Sequence, residues 1–311
     1  MPAKYQYIFG PVPSRRLGRS LGIDLIPYKT CSFNCIYCQL GQTTCQTCER
    51  AEYVPIKAVL RELEEKLKES RTIDYLTFSG SGEPTLHQEL GKMIKKAKEL
   101  FLLPVAVITN GSLLWMKEVQ KDLAEADVVL PTLSSALPEK FQEIHRQDPG
   151  LDLKIIIEGM IQFRKKFSGQ IWLEVFIVKG INDCEEDLEL LKPVLDKIKP
   201  DRIQLNTSVR IPSEQHSISA EEQEMIHLAR LLGERAEVIP EARNKKIDPE
   251  RVATEYDILD YLKRRPGTID DLSAGLSISK ELARKLLKQL IDQGLISLRK
   301  WKGKEEYYFH S

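Results

Sequence analysis

No apolar run among these 311 residues approaches the length of a membrane span. The N-terminus, Met1-Pro2-Ala3-Lys4, carries no secretory apolar region, so a cytoplasmic location is expected. Lysine plus arginine number 46, as do aspartate plus glutamate, and the zero net charge removes any global case for nucleic-acid binding. Such a case has to come from local asymmetry. Cysteine is scarce: there are six, none before Cys31, and five fall between residues 31 and 48. A disulfide framework is not expected from that distribution in a long chain of cytosolic type, whereas a single site is. Hydrophobic residues at 42% and charged residues at 30% describe an ordinary globular protein. The length exceeds one typical domain and suits a large α/β unit with a small one attached.

What is present is organised around Thr30-Cys31-Ser32-Phe33-Asn34-Cys35-Ile36-Tyr37-Cys38-Gln39, in a loop after the strand-like stretch from Gly22 to Ile26. The C-x3-C-x2-C spacing puts three thiolates on one side of a loop. A closed zinc site wants four nitrogen or sulfur ligands, and a four-iron cluster is usually held by four thiolates. Three thiolates leave one iron open. Cys45 and Cys48, at C-x2-C, keep a zinc knuckle with a fourth ligand, a redox pair or extra metal ligands as alternatives.

Upstream, residues 1–30 are turn-rich and basic, with Lys4, Arg15, Arg16, Arg19 and Lys29 against Asp24 alone. The prolines and glycine of Phe9-Gly10-Pro11-Val12-Pro13 exclude a helix. The segment is either a solvated lead-in or a basic lip beside an anionic ligand. From Pro55 onward, helical periodicity alternates with apolar strands. Helices are expected over residues 55–70, 87–101, 114–124, 138–167 (broken at 148–150), 183–198 and 219–232. Strands are expected over 74–79, 105–109, 127–130, 171–178 and 202–206, with a further strand-like stretch at 236–239. This order indicates a parallel sheet with helical crossovers, open or barrel-shaped.

Polar residues gather at the strand ends, where barrel enzymes build their sites. They are Ser79-Gly80-Ser81-Gly82-Glu83-Pro84, Thr109-Asn110-Gly111, Thr132, Asn182 and Asn206. With the cysteine loop, these motifs resemble the radical S-adenosylmethionine (SAM) superfamily. Gly82 and Glu83 match its Gly-Gly-Glu motif, Ser81 replacing the first glycine. Thr132-Leu133-Ser134-Ser135 keeps a hydroxyl but loses the carboxylate of the corresponding run. The resemblance covers roughly residues 5–240 and, with Phe9–Gly18, is similar to a branch related to the wyosine-tRNA synthase. That synthase carries upstream cysteines which this chain lacks, so wyosine formation is not implied.

The resemblance implies an α/β fold, a partial (β/α)6 TIM-type barrel, and an enzyme from an oxygen-poor setting. It implies a 4Fe-4S cluster on Cys31, Cys35 and Cys38, and SAM cleavage to a 5′-deoxyadenosyl radical. Tyr37, Ser81, Gly82, Glu83, Asn110, Thr132, Asn182 and Asn206 become candidate SAM contacts. An electron donor such as flavodoxin or ferredoxin would be needed.

The expected division is a core over 1–240 with its cluster loop at 30–48, a linker at 241–251, and a C-terminal domain over 252–311. In the last part, three helices (252–264, 269–274 and 280–293, the third capped by Ser279) precede a hairpin, which resembles a winged helix-turn-helix. Residues 279–304 carry a net charge of +6. Lys280, Arg284, Lys285, Lys288, Lys302 and Lys304 are candidate nucleic-acid contacts. Modification of RNA, tRNA in particular, is therefore the leading expectation. The alternatives are a radical enzyme for a small molecule or peptide, with the C-terminal domain making protein contacts, and a cluster-containing redox-sensing transcription regulator.

Overall fold

The computed structural model describes residues 5–69, 72–209, 212–214, 216–240, 253–264, 266–276, 278–301 and 304–309. The chain opens with a strand pair, β1 (Ile8–Ser14) and β2 (Gly18–Ile23), followed by two short strands, β3 (Thr30–Cys31) and β4 (Cys45–Gln46). Helices and strands then alternate: α1 (Ile56–Glu69), β5 (Tyr75–Phe78), α2 (Leu90–Phe101), β6 (Val105–Ile108), α3 (Lys117–Leu123) and β7 (Val128–Leu130). Two successive helices, α4 (Pro138–His145) and α5 (Leu153–Lys166), lead to β8 (Gln170–Ile177). The alternation ends with α6 (Glu185–Ile198), β9 (Arg202–Thr207), α7 (Glu222–Leu232) and β10 (Ala236–Val238).

The sheet order is β1-β2-β5-β6-β7-β8-β9-β10, so each strand lies beside its predecessor along the barrel. Every junction is parallel except β1–β2. β1 and β10 remain as edges, which makes the barrel partial. The parallel alternation is as the sequence reads, and β1 is the addition. Residues 8–14 are a strand, not a lead-in, and the register shifts between Phe9 and Val12. A bulge at an edge is where Gly10 and Pro11 can be accommodated without a lost ladder bond.

Side chains alternate across the sheet with the period of two that strands impose. On β8, Leu173, Val175 and Ile177 face the helices and join the main core with Val59, Met93 and Phe163. Trp172 faces inward, in a separate cluster with Leu17, Ala106, Val128 and Leu130 that closes the bottom of the barrel. Glu174 and Phe176 follow on the same inner face.

A second core belongs to the C-terminal helices α8 (Glu255–Arg264), α9 (Ile269–Leu276) and α10 (Lys280–Asp292) with the hairpin β11 (Ile296–Trp301) and β12 (Lys304–Phe309). The Ser279 hydroxyl accepts from Leu282 N at 3.1 Å, and Leu286, Leu287 and Leu290 point inward. The expected linker at 241–251 lies outside the described residues, as does Lys302. Among the described residues, no helix is long and apolar enough to cross a membrane.

Gly159, buried in α5, packs against the backbone at Trp115 so closely that a methyl group there would collide. Gly159→Ala is expected to destabilise the fold by about 1–3 kcal/mol. The lowered midpoint in urea denaturation checks this.

Candidate functional site

The cysteine loop is held in place by the residues between its cysteines. Phe33 is buried and meets Phe141 of α4 edge-on, at 5.7 Å between ring centroids. Ile36, also buried, donates its backbone N–H to Ile144 O at 3.0 Å. Ser32 bonds Ser112 at 2.6 Å, and β3 pairs with β4, setting Cys45 beside Thr30. The hydroxyl of Ser213 donates to the carbonyls of Cys35 and Ile36. Apolar docking and backbone bonds together fix a loop that has almost no regular structure of its own.

Three thiols stand at its head. Cys31 is pushed up to about 12 by burial, then by Glu83, with the Cys38 charge adding to this. Cys35 is pushed well above the ordinary thiol value by burial, then by Cys31 and Cys38. Cys31 and Cys35 are therefore desolvated and lie close to the other thiol charges. A metal centre would displace the protons of these two, because thiolate is the ligand form. This donor set fits an iron–sulfur cluster held by cysteine. Among the described residues, no group of three His, Cys, Asp or Glu side chains could hold a single metal ion. A cubane cluster has no such requirement, since each thiolate binds a different iron. Cys45 is exposed, and Cys48, packed partly against the main core, is raised to about 11 by burial and by Asp148.

Glu83 ties the neighbouring strand ends together. Its backbone N–H donates to Thr30 O at 3.2 Å, and Gly82 packs against the same carbonyl, with no room for a side chain. Its buried carboxylate accepts from Thr109 Oγ1 at 2.6 Å, Asn110 N at 2.7 Å, and Thr85 N and Oγ1 at 3.0 and 2.7 Å. Burial pushes the carboxyl above its ordinary value despite these four donors. Asn110 in turn donates to Ser32 Oγ at 2.8 Å, and Ser81 is bound through its N–H and hydroxyl to Asp24. Glu83, Asn110 and Ser81 are thus engaged with the protein's own groups.

Beside the loop lies a cavity of about 710 Å3, lined by Tyr37 and Cys38, Ser79 and Gly80, Glu174, Phe176 and Asn206, and the whole of β1. Tyr37 stacks on Phe176 with centroids 3.6 Å apart. Arg16 donates to Glu174 at 2.9 Å, Asn206 and Thr132 donate to the same carboxylate at 3.0 and 3.1 Å, and Arg15 donates to Asn206 at 3.0 Å. The basic lead-in therefore enters the barrel. Tyr256, Asp257, Asp260 and Tyr261 of α8 and Gly275 and Leu276 of α9 complete the wall.

Asn182 is bonded to backbone groups on two sides. It is buried, its amide nitrogen donates to Ser134 O and Phe176 O, and its oxygen accepts from Val178 N. It joins the turn after β8 to the segment after β7. Asp24, Glu174 and His145 were missed, although a lone carboxylate inside an apolar strand is a readable signal.

A radical SAM superfamily model matches residues 25–191, more than half of the chain. The chain belongs to the radical SAM superfamily. A protein named GTPase Obg from Brachyspira hyodysenteriae is 39% identical over 94% of this chain, which spans only 44% of that protein. A UPF0026 protein of Methanocaldococcus jannaschii is 40% identical over 67% of the chain, which spans 65% of it. A UPF0026 protein of Helicobacter pylori strain J99 is 32% identical over 97% of the chain and 96% of its own length. The chain is thus one of the UPF0026 proteins. Its fold is similar to that of a radical SAM methyltransferase from Sphaerobacter thermophilus, with TM-score 0.55 and 15% identity, over 70% of this chain and 65% of the other. It is also similar to anSMEcpe with bound AdoMet, with TM-score 0.52 and 14% identity, over 68% and 58%. The superfamily takes its name from SAM, and the second of these structures holds bound AdoMet.

Glu83→Gln keeps the volume but turns an amide donor toward a donor. A loss of about 1–3 kcal/mol of apoprotein stability is expected. Urea denaturation of the metal-free chain measures it, and an unmoved midpoint would mean that Glu83 does not hold the turns.

Proposed function

We propose that this chain cleaves SAM reductively at a 4Fe-4S cluster held by Cys31, Cys35 and Cys38. The radical formed then removes a hydrogen atom from a substrate in the adjoining cavity. The gathering of three partly buried thiols beside that cavity is the observation that carries this reading. When bound, a 4Fe-4S cluster would supply one-electron chemistry, with the electron coming from a donor such as flavodoxin or ferredoxin, for breaking the C5′–S bond of SAM to methionine and a 5′-deoxyadenosyl radical.

The chain's own residues bind and orient. The Ser79–Gly80 backbone lines the cavity where the methionyl end would lie, and the Tyr37–Phe176 stack offers a ring edge to the adenine. Arg15 and Asn206 supply donors deeper in the barrel. Glu83 and Asn110 act by holding the turns, and Thr132 by orienting Glu174. The α8 and α9 wall excludes water from the reacting atoms.

For the substrate we propose RNA, tRNA first, in keeping with a branch related to the wyosine-tRNA synthase. Residues 252–311 would serve as a winged helix-turn-helix docking domain joined through 241–251 to a core over 1–240. Arg284, Lys285 and Lys288 of α10 are exposed together, which supports docking. A second reading is a small-molecule or peptide substrate, with the C-terminal helices as a wall and protein contact. Two observations favour it: α8 and α9 line the cavity, and the hairpin sets Glu305 and Glu306 opposite Lys300 and Arg299. Lys280 is moreover paired with Asp270 at 2.6 Å.

Anaerobically reconstituted protein, given dithionite and SAM, is expected to release 5′-deoxyadenosine. Cys31→Ala, Cys35→Ala and Cys38→Ala should each abolish it, and product from any of the three would sink the ligand assignment. Full-length chain should also bind bulk tRNA with a strong salt dependence. Changing Lys285 and Lys288 to Ala should reduce its log–log slope by about 1–2 units. Absence of binding at low salt would leave the small-molecule or peptide reading.

A further inference from the structure

Each thiol at the head of the loop meets a donor from a different part of the chain. Lys29 Nζ donates to Cys38 Sγ at 3.2 Å. Asn110 Nδ2 lies 3.4 Å from Cys31 Sγ. His145 Nδ1 lies 3.4 Å from Cys35 Sγ, and the Tyr37 hydroxyl stands beside the same ring nitrogen.

These donors are built in. Lys29 is 3% exposed, unusual for a lysine, and its backbone is left-handed at φ +60°. That backbone is held by Lys29 N donating to Ser81 O and by Lys29 O accepting from Thr44 and Cys45. The amide of Asn110 has a fixed orientation, because its oxygen accepts from Ser112 N at 2.9 Å and its nitrogen must then face Ser32 and Cys31. His145 is fully buried, with Nε2 lacking any partner. A buried N–H without a partner is rarer than a bare acceptor, so the single proton of the neutral ring belongs on Nδ1, toward Cys35.

We propose that Lys29, Asn110 and His145 set the reduction potential of the cluster, one donor to each sulfur. The inference rests on Cys31, Cys35 and Cys38 being the ligands. Reduction adds negative charge that spreads onto the thiolates. Donors aimed at sulfur stabilise the reduced state, and hydrogen bonds to sulfur are a recognised control of cluster potential. Lys29 contributes most, because it brings a full charge into a desolvated place. The three residues raise the potential, so that a weaker physiological donor suffices. They are positioning residues, acting on the cluster without touching substrate.

The test is an EPR-monitored redox titration of the full-length reconstituted protein without SAM, for the parent and for Lys29→Met, Lys29→Arg, Asn110→Leu and His145→Phe. Iron and sulfide contents are measured alongside. At the parent's midpoint, Lys29→Met should lower the reduced-to-oxidised ratio at least tenfold, which is 59 mV for one electron. Lys29→Arg should recover most of that shift, and His145→Phe and Asn110→Leu should each give about a threefold loss. Full cluster content with unmoved midpoints would overturn the proposal. Should Lys29→Met fail to hold its cluster, the other three variants decide the matter. Retention of a full cluster by Cys35→Ala would overturn the ligand assignment instead, which keeps the two failures apart.

Discussion

The site depends on how the Glu83 carboxylate is satisfied. A buried carboxylate is tolerable only when donors surround it, and those donors come from the turns after β5 and β6. Its own N–H reaches the carbonyl before the first cysteine of the cluster loop. One residue therefore ties the ends of the neighbouring strands β5 and β6 to β3, which lies outside their sheet. Asn110, positioned by that carboxylate, then reaches Cys31 and Ser32, so the network continues to the thiols.

A second polar knot occupies the barrel interior. Glu174, 8% exposed, receives Arg16, Asn206 and Thr132 on its two oxygens. Such a buried pair is weak as a source of net stability, since desolvation offsets the attraction, but it fixes geometry. Here it draws the turn after β1 into the barrel and leaves β1 as one side of the cavity. The apolar floor beneath, with Leu17 and Trp172, keeps the knot dry from below.

Much of this was readable from residues alone. The alternation of apolar strands and amphipathic helices follows from periodicity, and the leucine face of α10 lies where the spacing puts it. The cysteine spacing and the glycine turn at Ser79–Glu83 locate the loop and the strand end that meet. β1 was hidden because Gly10, Pro11 and Pro13 carry turn signals, and only its pairing with β2 overrides them. Asn182 has the right residue type in the right place, yet its amide bonds two backbone groups at the end of β8 and one at Ser134 after β7. Position along a strand says where a side chain starts and leaves open what it bonds. Asp24, Glu174 and His145 act through partners 32 or more residues away in sequence, so a carboxylate in an apolar strand marks itself but not what it binds.

The placement of α8 and α9 against the cavity has a consequence for how this protein can be taken apart. A chamber built by two cores has no owner: removing either leaves a half-open bowl. Bulk solvent would then enter beside Tyr37 and Cys38, on the side of the chamber that the cysteine loop opens. The wall that α8 and α9 supply is as much a part of the chamber as the loop that opens it. A fragment ending before residue 253 would keep every cysteine and lose the vessel.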